Sequence, residues 1–158
     1  MQTKHYLIIL LFISSYGSLL ACTCSPKENL KASVTKHYDR ADVVFTGEVI
    51  KIEDAQKTQR QSSMDVIRYT FKITKIFKGN TKEDTITVSS FRGSSACGYS
   101  FTKGKAYVVY SSYMSINNKQ FLQTDLCTRN QVLSSVQRKE IRLLRRKSKQ
   151  YAKRNADY

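Results

Sequence analysis

Two cysteines one residue apart, Cys22 and Cys24, stand directly behind an apolar leader, in the stretch Ala21-Cys22-Thr23-Cys24-Ser25-Pro26. This pair constrains the chain more than any other feature. Removal of the leader after Ala21 leaves Cys22 with a free α-amine. With its backbone held by its own side chain, Cys22 presents that amine and its carbonyl oxygen as a small chelating group. The stretch is therefore expected to be the functional end of the molecule.

The leader itself reads as a signal peptide, residues 1–21. Lys4 and His5 form a short polar start, Tyr6 to Phe12 an apolar run, and Ala21 a small residue at the cut. The apolar run is too short, and the serines behind it too close, for a spanning helix. The expected destination is secreted and extracellular, or periplasmic. Leu19-Leu20-Ala21-Cys22 also fits, loosely, the pattern before a lipid-modified cysteine, so a lipid anchor at Cys22 on an outer surface is the alternative. All four cysteines, Cys22, Cys24, Cys97 and Cys127, follow the leader. An even number in an exported chain implies two disulfides, with three possible pairings. Zinc binding competes poorly, because C-x-C is not the usual ligand spacing and Cys97 and Cys127 are isolated. Parity also favours simple removal of the leader, since lipidation of Cys22 would leave an odd thiol.

The 158 residues suffice for one domain with one core, and 41% hydrophobic with 11% aromatic residues excludes a disordered chain. Ser25, Pro26 and Glu28 read as a capping box opening a helix that carries Leu30, Val34, Tyr38 and Ala41. Val43 to Ile52 reads as a strand, with Gly47 marking a bulge or bend. Glu53 to Ser63 reads as a loop. Asp65 to Phe77 alternates as a long second strand whose apolar positions change face near Lys75 and Ile76. Lys78-Gly79-Asn80 is a turn, Thr85 to Ser89 a third strand, and Ser90 to Lys105 a connector. Ala106 to Ser112 is a fourth strand, with Tyr107 and Val109 opposite Val108 and Tyr110. Lys119 to Thr124 is a fifth. From Asn130 the pattern becomes helical, through Val132, Val136, Leu143, Leu144 and Tyr151. The expected fold is mainly β: a five-stranded closed barrel of the OB type with an N-terminal helix and a basic C-terminal helix. The division is signal peptide 1–21, barrel domain 22–130 and basic helical tail 131–158.

The formal net charge is +15, of which one unit leaves with the leader. Arg138 to Arg154 alone carries nine Lys or Arg against one acid, Glu140. Such a tail implies acidic glycans or an anionic membrane surface as partners. Ten tyrosines on a basic OB barrel also suit single-stranded nucleic acid. Export removes the chain from most nucleic acid, however, and Tyr69, Tyr107 and Tyr110 are expected to pack in or around the barrel, so no nucleic-acid partner is expected. An enzyme is not expected either. His37 is the single histidine after the leader, and neither H-E-x-x-H nor G-x-S-x-G occurs.

Taken together, Cys22-Thr23-Cys24 at a processed terminus, Ala96-Cys97-Gly98-Tyr99 after the third strand and Leu126-Cys127 after the fifth resemble the tissue inhibitors of metalloproteinases, and more broadly the netrin-like module. The runs Ala41 to Val49 and Lys75 to Gly79 are similar to that module's first two strands. The resemblance covers about residues 22 to 130. It implies disulfides Cys22–Cys97 and Cys24–Cys127. It also implies inhibition in which the amine and carbonyl of Cys22 ligate the catalytic zinc of a metalloprotease in trans, with no cofactor of the chain's own. Thr23 would point toward the specificity pocket, Cys24 and Ser25 would follow the cleft, and Ser94, Ser95 and Ala96 would lie beside them. No cysteines remain for the third disulfide of the animal members, and a basic helix stands where they carry a second domain. A netrin-like binding module without inhibitory activity is the alternative that the same resemblance implies.

Overall fold

The computed structural model describes residues 22, 24, 28–54, 62, 64–116 and 118–156. The expected signal peptide, Thr23, Ser25 and most of the loop after the first strand lie outside the described residues. The elements, in chain order, are helix α1 (Leu30–Arg40) and strands β1 (Val43–Asp54), β2 (Val66–Lys78), β3 (Thr85–Phe91), β4 (Ala106–Ile116), β5 (Lys119–Gln123) and β6 (Gln131–Val132), then helix α2 (Arg138–Ala156). Single turns of 3₁₀ helix occupy Ser94–Ala96 and Leu133–Ser135.

The five long strands close on themselves. They pair in the order β1-β2-β3-β5-β4, and β4 pairs back onto β1. All these pairs are antiparallel except β3 with β5, which run parallel through Val88–Leu122 and Ser89–Gln123. This is the expected barrel. Closure requires strong coiling, and three irregularities in the β1–β2 register supply it. One falls at Thr74 and another at Phe77, which accounts for the change of face seen in the sequence near Lys75 and Ile76. At Gly47 the carbonyl of Lys72 comes so near that a Cβ would stand 2.8 Å from it. The bend there needs a residue without a side chain.

Two apolar clusters follow from strand alternation. Phe45, Val49, Ile67, Tyr69, Phe71, Val88, Phe101, Tyr107 and Val109 fill the barrel. Its aromatic centre is a chain of edge-to-face contacts from Phe45 through Phe71 and Phe101 to Tyr107, with centroids 4.9–5.3 Å apart. The opposite face of the same strands, through Val44, Phe77, Val108 and Tyr110, packs against Val34 and Tyr38 of α1 and Leu144 of α2. The expected core positions of all three tyrosines are therefore met: Tyr69, Tyr107 and Tyr110 are 1–3% exposed.

Two expectations at element ends need correction. Helix α1 is capped by Asn29, whose side chain accepts from the Ala32 N–H at 2.9 Å, rather than by the more distant Ser25. The other end of α1 is held by Lys78, whose ammonium donates to the carbonyls of Tyr38 and Asp39 at 3.0 Å. After Asn130 the chain is extended, then 3₁₀, and becomes α-helical only at Arg138. Asn130 itself is buried: its Oδ1 accepts from the backbone N–H of Tyr110, and its amide donates to Thr124 and Thr128. That side chain takes the place of a ladder partner beside β4, and β6 continues from it.

Candidate functional site

Of the residues singled out in the sequence, Cys22, Cys24 and Ser94 to Cys97, with Cys127, come together at one end of the barrel. The connector between β3 and β4 and the segment after β5 leave the barrel side by side. The backbone N–H of Leu126 donates to the carbonyl of Cys97 at 2.7 Å, and that of Thr124 to Ser89 at 2.9 Å. Each segment carries one cysteine, and each cysteine holds one residue of the N-terminal pair. Cys22 is bridged to Cys97 and Cys24 to Cys127, with Cα–Cα separations of 5.5 and 5.1 Å. No cysteine is free, so the chain's own thiols are not available to a metal.

Local geometry makes the connector a firm anchor. Ser94–Ala96 form one 3₁₀ turn closed by the N–H groups of Ala96 and Gly98 on the carbonyl of Gly93 and by Cys97 N–H on Ser94. Cys97 then takes a left-handed conformation, φ 58°. Gly98 follows against β3, where a Cβ would sit 1.9 Å from the carbonyl oxygen of Phe91. No other residue fits there, which gives Cys97-Gly98 its physical reason. Tyr99 continues the lock, its N–H donating to Ser90 Oγ at 2.8 Å. Ser94 and Ser95 are exposed, Ala96 and Cys22 half-buried, and the sulfur of Cys22 lies 4.0 Å from the Ser95 carbonyl oxygen. The structure thus brings Cys22 beside the Ser94–Ala96 turn. Thr23 and Ser25, the other two expected contact residues, lie outside the described residues.

Two supporting residues, Asp125 and Arg92, are not singled out in the sequence, and His37 stands there only as a lone histidine. Asp125 accepts from the N–H groups of Cys127 and Thr128 at 2.8 Å, a tight side-chain turn that orients Cys127. His37 spans from α1 to the same residue, with one ring nitrogen 2.8 Å from the Ser33 carbonyl and the other 3.0 Å from that of Cys127. It is a packing and bridging residue. The signal available was only the D-x-C-T spacing, which suits an Asx turn. On the far side of the connector, Arg92 forms ion pairs with Asp54 of β1 and Asp65 before β2. This ties the start of the connector to the end of the β1–β2 ribbon.

The tail is fastened as firmly. Glu140 has no exposed surface, and both its oxygens accept from the Arg129 guanidinium, at 3.0 and 2.8 Å. Tyr110 donates to the same carboxylate at 3.1 Å, and Arg129 reaches on to Ser33 of α1. Burial, and next the neighbouring carboxylate, push the Tyr110 hydroxyl well above its usual range. One buried ion pair thus joins α2, β4, α1 and the segment beside Cys127.

This arrangement, two bridges fixing a Cys-x-Cys segment onto two adjoining barrel segments, coincides with a match to a family model described as tissue inhibitor of metalloproteinase, over residues 20–152. The chain belongs to the tissue inhibitor of metalloproteinase family. No curated protein matches it closely enough to be named beside that family. The matched range takes in both bridged cysteine pairs, the whole barrel and most of α2. Family membership makes metalloproteinase inhibition, rather than catalysis, the general function, and metalloproteinases the general class of partner.

Proposed function

We propose that the protein is a secreted inhibitor of zinc metalloendopeptidases that offers the α-amine and carbonyl oxygen of Cys22 to the catalytic zinc of its target. The observation that carries this reading is the pair of bridges. Residues 22 and 24 are fixed on both sides of one position, against a connector that is itself locked by Gly98 and by the Leu126–Cys97 hydrogen bond. A terminus held this way loses little freedom when a partner arrives, which lowers the ordering cost of binding. In the chain-entropy view each bridge, closing separations of 75 and 103 residues, adds up to about 4–5 kcal/mol of stability as well.

Within this mechanism the chain supplies two neutral donors at one residue. An α-amine has a pKa near ~7.7–8, so it can shed its proton to a competing metal near neutrality. Occupation of the zinc's open position would exclude the water needed for hydrolysis. Thr23 then faces the specificity pocket, Cys24 and Ser25 follow the cleft, and Ser94, Ser95 and Ala96 form the neighbouring edge of the contact. The sulfur of Cys22 is consumed by Cys97, and a sulfur so bonded cannot carry the thioether of a lipid anchor. This supports a free amine over a lipidated residue.

The test has two steps. Intact mass and N-terminal sequencing of the mature protein are expected to show an unblocked Cys22. The mature protein is then compared, across a panel of zinc metalloendopeptidases, with a form extended by one N-terminal alanine. At least a hundredfold loss of inhibition is expected for the extended form. Equal inhibition by both forms would remove the amine from the mechanism, and inhibition by neither would leave the fold as a binding module.

A further inference from the structure

Helix α2 holds nine of the chain's cations, and the structure sorts them. The only acid between Arg138 and Arg154, Glu140, is turned inward and spent on Arg129. Among the described residues, one cation of the helix, Lys147, forms an ion pair, with Asp39 of α1 at 2.9 Å. The outward face is therefore cationic without compensation. Lys139, Arg142, Arg146, Lys149 and Lys153 are all exposed and recur every three or four residues. That spacing sets them in one row along the helix, about 21 Å from first to last at about 1.5 Å per residue. Beside the upper half of the row, Lys31 of α1 faces Lys139, Arg142 and Arg146 across a shallow groove of about 400 Å³.

We propose that this row is a binding surface for a linear sulfated polysaccharide. A straight line of unpaired cations complements a chain whose anionic groups repeat along its length, and guanidinium groups bind such oxyanions bidentately. The other polyanions fit less well. A nucleic-acid single strand needs aromatic faces for its bases. Tyr151, the one aromatic residue on α2, is half-buried with the Lys78 ammonium 6.0 Å from its ring centroid. A bilayer rewards apolar side chains that enter it. None of the large exposed hydrophobic side chains among the described residues lies on α2. The two disulfides also suit an oxidising compartment rather than the cytosol or nucleus, where most nucleic acid lies. The surface is independent of the inhibitory reading, since no residue in the row contributes to the bridged terminus.

The test uses the full mature chain and a heparin-derived octasaccharide. The triple variant R142Q/R146Q/K149Q removes three cations of the row. The control K103Q/K105Q/K119Q removes three exposed cations from the barrel. At physiological salt, the row variant is expected to bind at least tenfold more weakly, with a flatter dependence on salt, and the control within twofold of the parent. Equal weakening by both triples would overturn the proposal in favour of diffuse net charge. So would tighter binding to single-stranded DNA of matched charge, or binding to phosphatidylserine vesicles without binding to the octasaccharide. Inhibition of metalloproteases, assayed alongside, should be the same in all three proteins.

Discussion

Glu140 and Arg129 show how much of this molecule rests on single side chains. A carboxylate with no exposed surface is costly to bury, and the guanidinium that meets both its oxygens offsets that cost. Glu140→Gln leaves that guanidinium a fifth exposed and without its counter-charge, and should cost about 3 kcal/mol in urea unfolding. The double change Arg129→Met with Glu140→Gln should cost less than the two single changes added together, giving a coupling energy of about 2 kcal/mol in the double-mutant cycle. The neighbouring phenols make a second prediction. Burial pushes the Tyr38 hydroxyl up to about 12, and Tyr110 is raised by burial and by the Glu140 carboxylate. The folded chain thus holds these protons more tightly than the unfolded chain, where tyrosine loses its proton near ~10. Their contribution is intact below about pH 10 and is lost as pH rises toward and through 12, each phenol adding a slope of up to about −1.4 kcal/mol per pH unit. Lys78, lowered by burial, acts in the opposite sense just below the usual lysine range. Phenolate absorbance and urea midpoints measured together across this range should show both hydroxyls ionising only as the fold is lost.

Among the elements, helix α2 is the one whose role its sequence concealed. Its composition reads as a solvated basic tail, yet it buries Leu144 completely and presses Leu143 and Ile141 on the second cluster. Ending the chain after Gln137 should therefore lower stability by at least about 4 kcal/mol, through lost burial and the stranded Arg129. A thermal melt of the truncated chain measures this, and a truncated form as stable as the parent would contradict it. The strands were far more legible. Period-two alternation in 67–73 and 106–110, the β-branched run after Asp42 and the glycine at 47 were enough to place the barrel walls. Cysteine positions with Cys97-Gly98-Tyr99 were enough to point to its bridged end. What stayed hidden depends on partners distant in the chain. The inward turn of Glu140 is set by Arg129 and Tyr110. The extended path of Gln131 and Val132 is set by Asn130 bonding to Tyr110, whereas the four-residue spacing of Val132 and Val136 alone suggests a helix. Asn29 rather than Ser25 opens α1 because its side chain reaches the Ala32 N–H, and S-P-x-E offers an equally good pattern on paper.

At the scale of the whole molecule, the ring of strands has a seam, and β1 lies on both sides of it. Residues Val44 to Glu48 pair with β2 on one edge and with β4 on the other. Freeing them requires both edges to part, and with them the aromatic stack inside and the helices outside. No partial opening exposes this stretch. In deuterated solvent, its amides should therefore be the last to exchange, at a rate that reports complete unfolding, while those of Ile52 to Asp54 exchange earlier. Breaking the Cys24–Cys127 link by serine substitution at both positions should speed exchange at Val44 to Glu48 by as much as at any site in the protein. A ribbon stitched into both walls of a barrel serves as the molecule's own clock for how long its fold survives.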